Sequence, residues 1–301
     1  MSKFRALLKY ELIWNLRKRK FQALLMIIVL IQIITFIIPA VLSYTTGQAI
    51  QEDPYKAISS PPGIFIFLFA IAVGMNSISE EFEHGRAHIL FSKPVSRTLI
   101  YLAKIIAALI ILTIAYLILN VIGLVLSYLI YGPQEYIIFS PILLLGILIA
   151  TLIYLSIVFF LGAVSKSSII AALGSFGILI GLGIMVGILG TFGGYAWIAD
   201  YVPSGGQNGV IIGTFPPISL STGTDNLGTI LSYVAINPEA QVNVTYVVGI
   251  DITEIPPIIQ YESQMISIID ITIRAFMVAL AYTLPLLLVS WFIFRRTEIK
   301  E

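Results

Sequence analysis

Six long apolar stretches restrict this chain to one broad kind of fold. Each runs for about 17 to 25 residues, the length that an α-helix needs to cross a bilayer core of roughly 30 Å. With 58% hydrophobic and only 11% charged residues, the chain lies far outside the composition of a soluble domain. The sequence therefore predicts an all-α integral membrane protein with six transmembrane helices. These are predicted at 21–43, 63–79, 105–130, 141–164, 169–192 and 275–294.

The basic residues predict how the helices are oriented. If the N-terminus is cytoplasmic, all of the 17 Lys and Arg residues except Lys56 and Arg274 fall on the cytoplasmic side, as is usual in membrane proteins. We therefore expect both termini in the cytoplasm. Residues 1–20 alternate apolar and basic positions at near-helical spacing, which predicts an amphipathic interfacial helix before the six-span domain at 21–301. This helix is interpreted either as a topology anchor or as a lever touching a cytoplasmic partner.

The predicted spans lack the residue types that usually drive transport. They contain no Asp, Glu, Lys, Arg or His, which normally mark proton relays and ion paths. The chain also lacks the Gly-x-x-x-x-Gly-Lys-Ser/Thr loop that binds nucleotide phosphates. We therefore expect that, if ATP drives this protein, another polypeptide binds the nucleotide.

Two further features of the composition exclude other classes. A formal net charge of +1, without a concentrated basic surface, argues against nucleic acid as a partner. The absence of cysteine excludes disulfides, thiolate metal sites and cysteine nucleophiles.

One loop between the second and third spans, at 80–98, holds much of the charge. Gly85 and Pro94 predict a short helix framed by turns. Such a cluster at a membrane exit is typical of a contact with a soluble partner or with lipid head groups. The residues that we assign to this contact are Glu80, Glu81, Glu83, His84, Arg86, His88 and Phe91.

Two other interpretations of this loop stay open. His84 and His88 stand four apart, so a metal site with Glu80 or Glu81 as a third ligand is one alternative. It is less favoured because the order is not His-Glu-x-x-His and Gly85 weakens a helix. A charged cap that only fixes topology is the other alternative, although Lys and Arg alone would serve that purpose.

The loop and the layout of the spans resemble the permease subunits of ABC-2 type ATP-binding cassette transporters. The resemblance is sharpest from Glu80 to Arg86 and in the run Leu90-Phe91-Ser92-Lys93-Pro94-Val95-Ser96-Arg97, followed by Lys104. It implies a dimer with a second copy or a related permease, together with two separate ATPase subunits that bind ATP and Mg. It also implies that 83–91 is a coupling helix seated in an ATPase groove, and that this chain holds no cofactor.

The fifth span is rich in glycine at the spacing that lets helix backbones approach closely. Gly177 and Gly181 form one Gly-x-x-x-Gly pattern, and Gly183 and Gly187 form another. The resemblance implies that the first and fifth spans, and with them Gln32, line the dimer centre and the translocation path. The alternative for the glycines is close packing within one subunit. For Gln32 and Asn120, bonding between helices is favoured over contact with substrate.

The segment at 193–270 differs from the rest and is predicted to be extracellular. It is rich in Gly, Pro, Ser and Thr, and it holds seven acidic residues but no basic one. Partial alternation at 241–253 predicts a strand, and 258–269 is predicted as an outer-surface helix. Asn243-Val244-Thr245 matches the glycosylation acceptor pattern.

The function that follows from the spans and the resemblance is ATP-driven transport at the plasma membrane. We expect the chain to export a hydrophobic or amphipathic substrate, such as a lipid, a peptide or a drug-like molecule, by alternating access. The alternative is a mechanical or signalling protein that moves the extracellular segment without transport. An intramembrane enzyme is not favoured, since the spans hold no acidic pair and no His-Glu-x-x-His.

Overall fold

The computed structural model describes residues 3–47, 50, 52–83, 95–214, 217–251 and 258–297. Helix α1 is followed by eight more helices and four strands in these ranges, with short 3-10 turns between them. The helices are α1 (Lys3–Leu16), α2 (Arg19–Thr45), α3 (Gly63–Gly74), α4 (Ser79–Glu83), α5 (Arg97–Tyr131), α6 (Ser140–Ser165), α7 (Ser168–Gly193), α8 (Leu227–Ile236) and α9 (Ile268–Arg296).

The prediction of six membrane spans is confirmed. Six candidate spans in the described ranges are long and apolar enough to cross a bilayer. The first, third, fourth, fifth and sixth are built on α2, α5, α6, α7 and α9, whereas the second, Lys56–Glu83, runs through α3 and α4. Arg97, at the start of α5, donates to the backbone oxygens of Arg295 and Thr297 at 2.8 Å. The beginning of the third span and the end of the sixth therefore lie at the same end of the bundle, which we call the N-terminal end.

Several helices extend beyond the apolar stretches, which corrects the expectation that the spans hold no ionisable residue. Helix α5 begins at Arg97 because Ser96 caps it, accepting a hydrogen bond from the Leu99 backbone NH at 3.3 Å. Lys104 consequently lies within the third span, and Arg274 lies within the sixth. An apolar run marks the part of a helix that hydrocarbon surrounds, not the ends of the helix.

A compact set of helices forms the main core. Helices α3, α5, α6 and α9 contribute Phe69, Tyr116, Phe159 and Phe294, all almost fully buried. Hydrogen bonds join these helices: the Tyr101 hydroxyl donates to the Leu287 oxygen, the Ser290 hydroxyl to the Phe159 oxygen, and the Trp291 indole to the Thr98 hydroxyl, at 3.0, 3.0 and 3.2 Å. Helices α2 and α7 pack on the outside of this core.

The all-α prediction is wrong between the fifth and sixth spans, where a four-stranded antiparallel sheet forms. Its strands are β1 (Asn208–Ile211), β2 (Ile218–Ser221), β3 (Gln241–Asp251) and β4 (Ile258–Ser267), in the order β2-β1-β3-β4. Val242, Val244 and Tyr246 are buried on one face, against Ile230 of α8 and Ile271 of α9. We call this end of the bundle the sheet end.

The strand expected at 241–253 is present as β3, whereas the helix expected at 258–269 is not. Residues 258–267 instead form β4, which pairs with β3 over its whole length, from Ile258 opposite Asp251 to Ser267 opposite Gln241. Pairing with β3 satisfies the backbone of β4 through tertiary contacts that local helix propensity does not foresee. Helix α9 then begins at Ile268, capped by Ser267.

Candidate functional site

A buried cluster of charges joins three helices at the N-terminal end of the bundle. The Lys104 ammonium of α5 donates to Glu11 Oε1 of α1 at 2.7 Å and to Glu81 Oε1 of α4 at 2.8 Å. The lysine side chain is 1% exposed, and the carboxylates are 7% and 13% exposed. A lysine this deeply buried is stable in its charged form only because both partners are charged and hydrogen-bonded. We call Glu11, Glu81 and Lys104 the ionic triad.

Two further contacts extend the ionic triad to neighbouring helices. Lys18, just before α2, donates to Glu80 Oε2 at 2.6 Å. The carboxylate of Glu83 accepts from the backbone NH and the hydroxyl of Ser168, both at 2.7 Å, at the first residue of α7. A carboxylate at a helix N-terminus satisfies free backbone NH groups and complements the helix dipole. Helix α4 is therefore bonded directly to α5, α7 and the residue before α2, and it is linked to α1 through Lys104.

These contacts place three of the predicted coupling residues within the chain. Glu80, Glu81 and Glu83 each bind another element of the same molecule, and their contact with an ATPase stays a prediction. His84, Arg86, His88 and Phe91, together with most of the predicted coupling helix, lie outside the described residues, as does the proposed pair of metal-ligating histidines. No group of three metal-ligating side chains occurs in the part of the chain that is described.

Sequence reasoning missed two members of the ionic triad. Glu11 is the single acid in an otherwise basic helix, and it is buried with Asn15, whose side-chain amide donates to the backbone oxygen of Glu11 at 3.0 Å. Lys104 was recognised only as part of a motif. An unpaired acid in a basic amphipathic helix was the one local signal that pointed to a distant lysine.

Helices α2 and α7 are the least buried spans. Of the residues in the apolar stretch of each span, only 6% are buried in α2 and 11% in α7, compared with 67% in the fourth span. Gly177, Gly181, Gly183 and Gly187 all lie on the exposed surface of α7. Nothing in the described chain comes within 4 Å of the positions that their Cβ atoms would take. Close packing within one subunit therefore does not explain these glycines.

The amides of Gln32 and Asn120, both within the spans, bond between helices, as expected. Gln32 of α2 donates to the backbone oxygen of Leu119 at 3.0 Å, and Asn120 accepts from the Ser140 hydroxyl at 2.7 Å. Gln32 reaches α5 because Gly123 leaves space: a Cβ there would stand 2.9 Å from the Gln32 amide nitrogen. Gln32 thus contacts its own subunit, and its contact with substrate or with a second subunit stays a prediction.

Two buried carboxylates attach the sheet end to the spans. Asp200 pairs with Arg274 of α9 at 2.9 Å and accepts from the Thr222 hydroxyl at 2.6 Å. Asp225 accepts from the Tyr154 hydroxyl of α6 and lies against Gly63, the first residue of α3. Burial raises the pKa of Asp225, although the hydrogen bonds from Tyr154 and Ser204 act in the opposite direction. The carboxyl is therefore easier to protonate than an exposed one.

Asn243, the predicted glycosylation acceptor, lies near the start of β3, which pairs with β1 on one side and β4 on the other. Its register partners are Val210 and Met265. The side chain is half-buried on the sheet face opposite Val242 and Val244. Glycosylation at Asn243 stays a prediction.

Comparison with known families covers nearly the whole of this architecture. A family model described as ABC-2 family transporter protein matches residues 5–299, from α1 to beyond the end of α9. No curated protein matches the chain. In this family the membrane subunit carries the transport path and a separate subunit carries the ATPase, consistent with a chain that is not itself an enzyme. The six spans and the family match place the chain in the plasma membrane as a multi-pass protein. The chain belongs to the ABC-2 transporter family, as a permease subunit of an ABC transporter.

Proposed function

We propose that this permease exports a hydrophobic or amphipathic substrate as a dimer, driven by two ATPase subunits that bind ATP and Mg at its N-terminal end. In this proposal the N-terminal end is cytoplasmic and the sheet end is extracellular, as the distribution of Lys and Arg favours. The observation that carries the proposal is the pair of exposed spans, α2 and α7. The surface of α7 includes glycines that no other part of the described chain contacts.

The glycines favour contact of this surface of α7 with another helix over contact with lipid alone. Lipid tails fit against any apolar side chain, so a helix that faces only lipid gains nothing from glycine. A facing helix backbone, in contrast, can approach closely where Gly181 and Gly187 leave space. We propose that α2 and α7 of two subunits enclose the substrate path. If the dimer is a heterodimer, the related permease would contact the same surface of α2 and α7.

The ionic triad supports a mechanism for coupling. Segment 84–94 follows α4 and precedes α5 in the sequence, and the Glu81–Lys104 contact ties these two helices together. A push on the segment would therefore move α1 through Glu11 and α7 through Glu83, instead of bending a loose loop. We propose that His84, Arg86, His88 and Phe91 contact the ATPase, whereas Glu80, Glu81 and Glu83 position that contact from within the permease.

The interfacial role of α1 has its own support. Tyr10, Ile13 and Trp14 are exposed on this helix, and Lys18 lies 5.7 Å from the centre of the Trp14 ring. Aromatic rings beside basic side chains are typical of the boundary between lipid tails and head groups. We propose that this surface of α1 lies on the inner leaflet.

The alternative, a mechanical output without transport, is favoured by one observation. Strand β4 runs directly into α9, and Asp200 pairs with Arg274, the seventh residue of that helix. Movement of the sixth span would therefore reach the sheet. Both functions use the same coupling contact, so the distinction lies in whether cargo crosses the membrane.

The test is transport by the permease co-reconstituted with the ATPase that purifies with it. A fluorescent short-chain phospholipid or a hydrophobic dye would be added to the outside of inside-out vesicles, followed by ATP and Mg. Export predicts ATP-dependent accumulation of a probe in the lumen or its inner leaflet, and no accumulation with an ATPase variant that cannot hydrolyse ATP. ATP turnover without movement of any probe, together with an ATP-dependent change in protease access to the sheet, would favour the mechanical alternative.

A further inference from the structure

A cavity at the sheet end combines a free cation with an apolar wall. It has a volume of about 250 Å³ and lies among α2, α5, α6 and the segment before α3. This volume is just below the roughly 300 to 1,000 Å³ typical of sites for drug-sized molecules. The residues that bring polar groups to it include Gln32, Lys56, Ser59 and Asn120, and Phe36, Leu119, Leu143 and Ile147 supply apolar surface.

The cation is Lys56. Its ammonium lies 5.8 Å from the centre of the Phe36 ring and 5.2 Å from that of Tyr131. Lys56 forms no ion pair with the carboxylates in the described ranges. The nearby Asp53 carboxylate accepts instead from the backbone NH of Tyr55 at 3.0 Å. Aromatic rings hold the ammonium in place without neutralising it, which leaves its charge available to an anion.

The amides add a complementary donor and acceptor. The side-chain oxygen of Gln32 is buried and accepts no hydrogen bond from the described chain. A buried acceptor left without a hydrogen bond is unfavourable, so a donor is expected beside it. Asn120 uses its oxygen for Ser140, and its NH₂ group has no partner in the part of the chain described. Gln32 and Phe36 stand four apart on α2, so the ammonium and the free oxygen lie along one helix face.

We infer that this cavity binds the head group of an anionic lipid that also carries a hydroxyl. The phosphate would face Lys56 and the Asn120 amide, a head-group hydroxyl would donate to the free oxygen of Gln32, and the acyl chains would lie along the exposed surface of α2. A zwitterionic lipid without a hydroxyl satisfies only part of this pattern. The site shares α2 with the proposed substrate path, but lipid binding to it does not depend on transport.

The test is lipid-dependent thermal stability of the delipidated full chain in detergent. The probes are phosphatidylglycerol, phosphatidylcholine and soluble glycerol 1-phosphate. Phosphatidylglycerol is expected to raise the unfolding temperature in proportion to the logarithm of its concentration, and phosphatidylcholine to have at least tenfold lower apparent affinity. A response to glycerol 1-phosphate equal to that of the lipid would identify a free-anion site and would overturn the lipid assignment.

Three variants separate this cavity from general attraction of anions to basic residues. Lys56→Met keeps the aliphatic stem but removes the charge, whereas Lys9→Ala removes an exposed charge on α1. Gly123→Ala changes no charge but pushes the Gln32 amide from its place. We expect phosphatidylglycerol affinity to fall at least tenfold in Lys56→Met and to fall measurably in Gly123→Ala, with no change in Lys9→Ala. Equal affinity in wild type and Lys56→Met, or equal losses in both lysine variants, would overturn the proposal.

Discussion

Replacing Lys104 by methionine tests whether the ionic triad holds the N-terminal end together. The ammonium lies 2.7 Å from Glu11 and 2.8 Å from Glu81. At an effective dielectric constant of about 20, each contact supplies roughly 6 kcal/mol of Coulomb energy. Desolvation of the three ions offsets much of this energy. Methionine fills similar space, so the dominant effect is two buried carboxylates left without a cation, a change that typically costs about 3 to 5 kcal/mol.

The measurement is thermal unfolding of the purified permease in detergent. Since 1 kcal/mol shifts Tm by about 2 to 4 °C in domains of moderate size, Lys104→Met should lower Tm by about 6 °C or more. The matched control is Lys18→Met, which breaks the pair with Glu80; both of its side chains are 16% exposed, so the loss should be smaller than in Lys104→Met, where the cation is 1% exposed. Adding Glu11→Gln and Glu81→Gln to Lys104→Met should restore most of the loss, because the buried charges are then gone.

Two results would refute this reasoning. One is a Tm for Lys104→Met within about 2 °C of wild type, which corresponds to less than about 1 kcal/mol. The other is an equal loss in both lysine variants, which would mean that burial of Lys104 does not set the penalty. The triple variant also separates structure from coupling: if it folds normally but no longer stimulates the ATPase, the charges themselves transmit the movement.

Three further predictions address orientation, assembly and pH. Because the chain has no cysteine, a single cysteine at Ser221 should react with an impermeant reagent on intact cells and one at Ser92 only after lysis; the reverse pattern would invert the membrane orientation. Gly181→Leu should reduce recovery of the dimer in crosslinking or light scattering without changing membrane insertion, since leucine is favourable in lipid, and full dimer recovery would show that this surface of α7 faces lipid. Burial raises the pKa of Asp225, so the folded state binds the proton more tightly and loses stability as pH rises from near 3.8 through the raised value. Asp225→Asn should remove this loss, so its Tm advantage over wild type should grow with pH in that window and then level off; an advantage independent of pH would contradict the assignment.

The sequence predicts the spans well because each helix signal is local. A long apolar run is sufficient to identify α6 or α7, and alternation identified β3. Strand β4 could not be identified in this way, because its ten residues adopt a strand through pairing with β3. The contact of Glu11 with Lys104 joins residues 93 positions apart. The lone acid of α1 suggests a distant cation, but nothing in either neighbourhood identifies Lys104 as that partner.

The glycine spacing of α7 was visible in the sequence, but the direction that it faces was not. Which side of a helix meets its own subunit depends on the neighbouring helices. A Cβ placed on Gly174 would lie 3.1 Å from the Leu161 side chain. A Cβ placed on Gly181, in the same helix, would have no atom of the described chain within 4 Å. Two glycines of one helix thus have different surroundings, and only the packed structure distinguishes them.

The unequal burial of the spans divides the permease into a stiff part and two movable parts. Helices α3, α5, α6 and α9 share aromatic contacts and hydrogen bonds that would all have to break together. Helix α2 bonds to this block mainly through the Gln32 amide and the Tyr131 hydroxyl, which donates to the Phe36 oxygen at 3.4 Å. Tilting α2 or α7 would therefore disturb few interactions and expose little buried surface. A gate built from these two helices can open at low energetic cost while the block behind it keeps its shape.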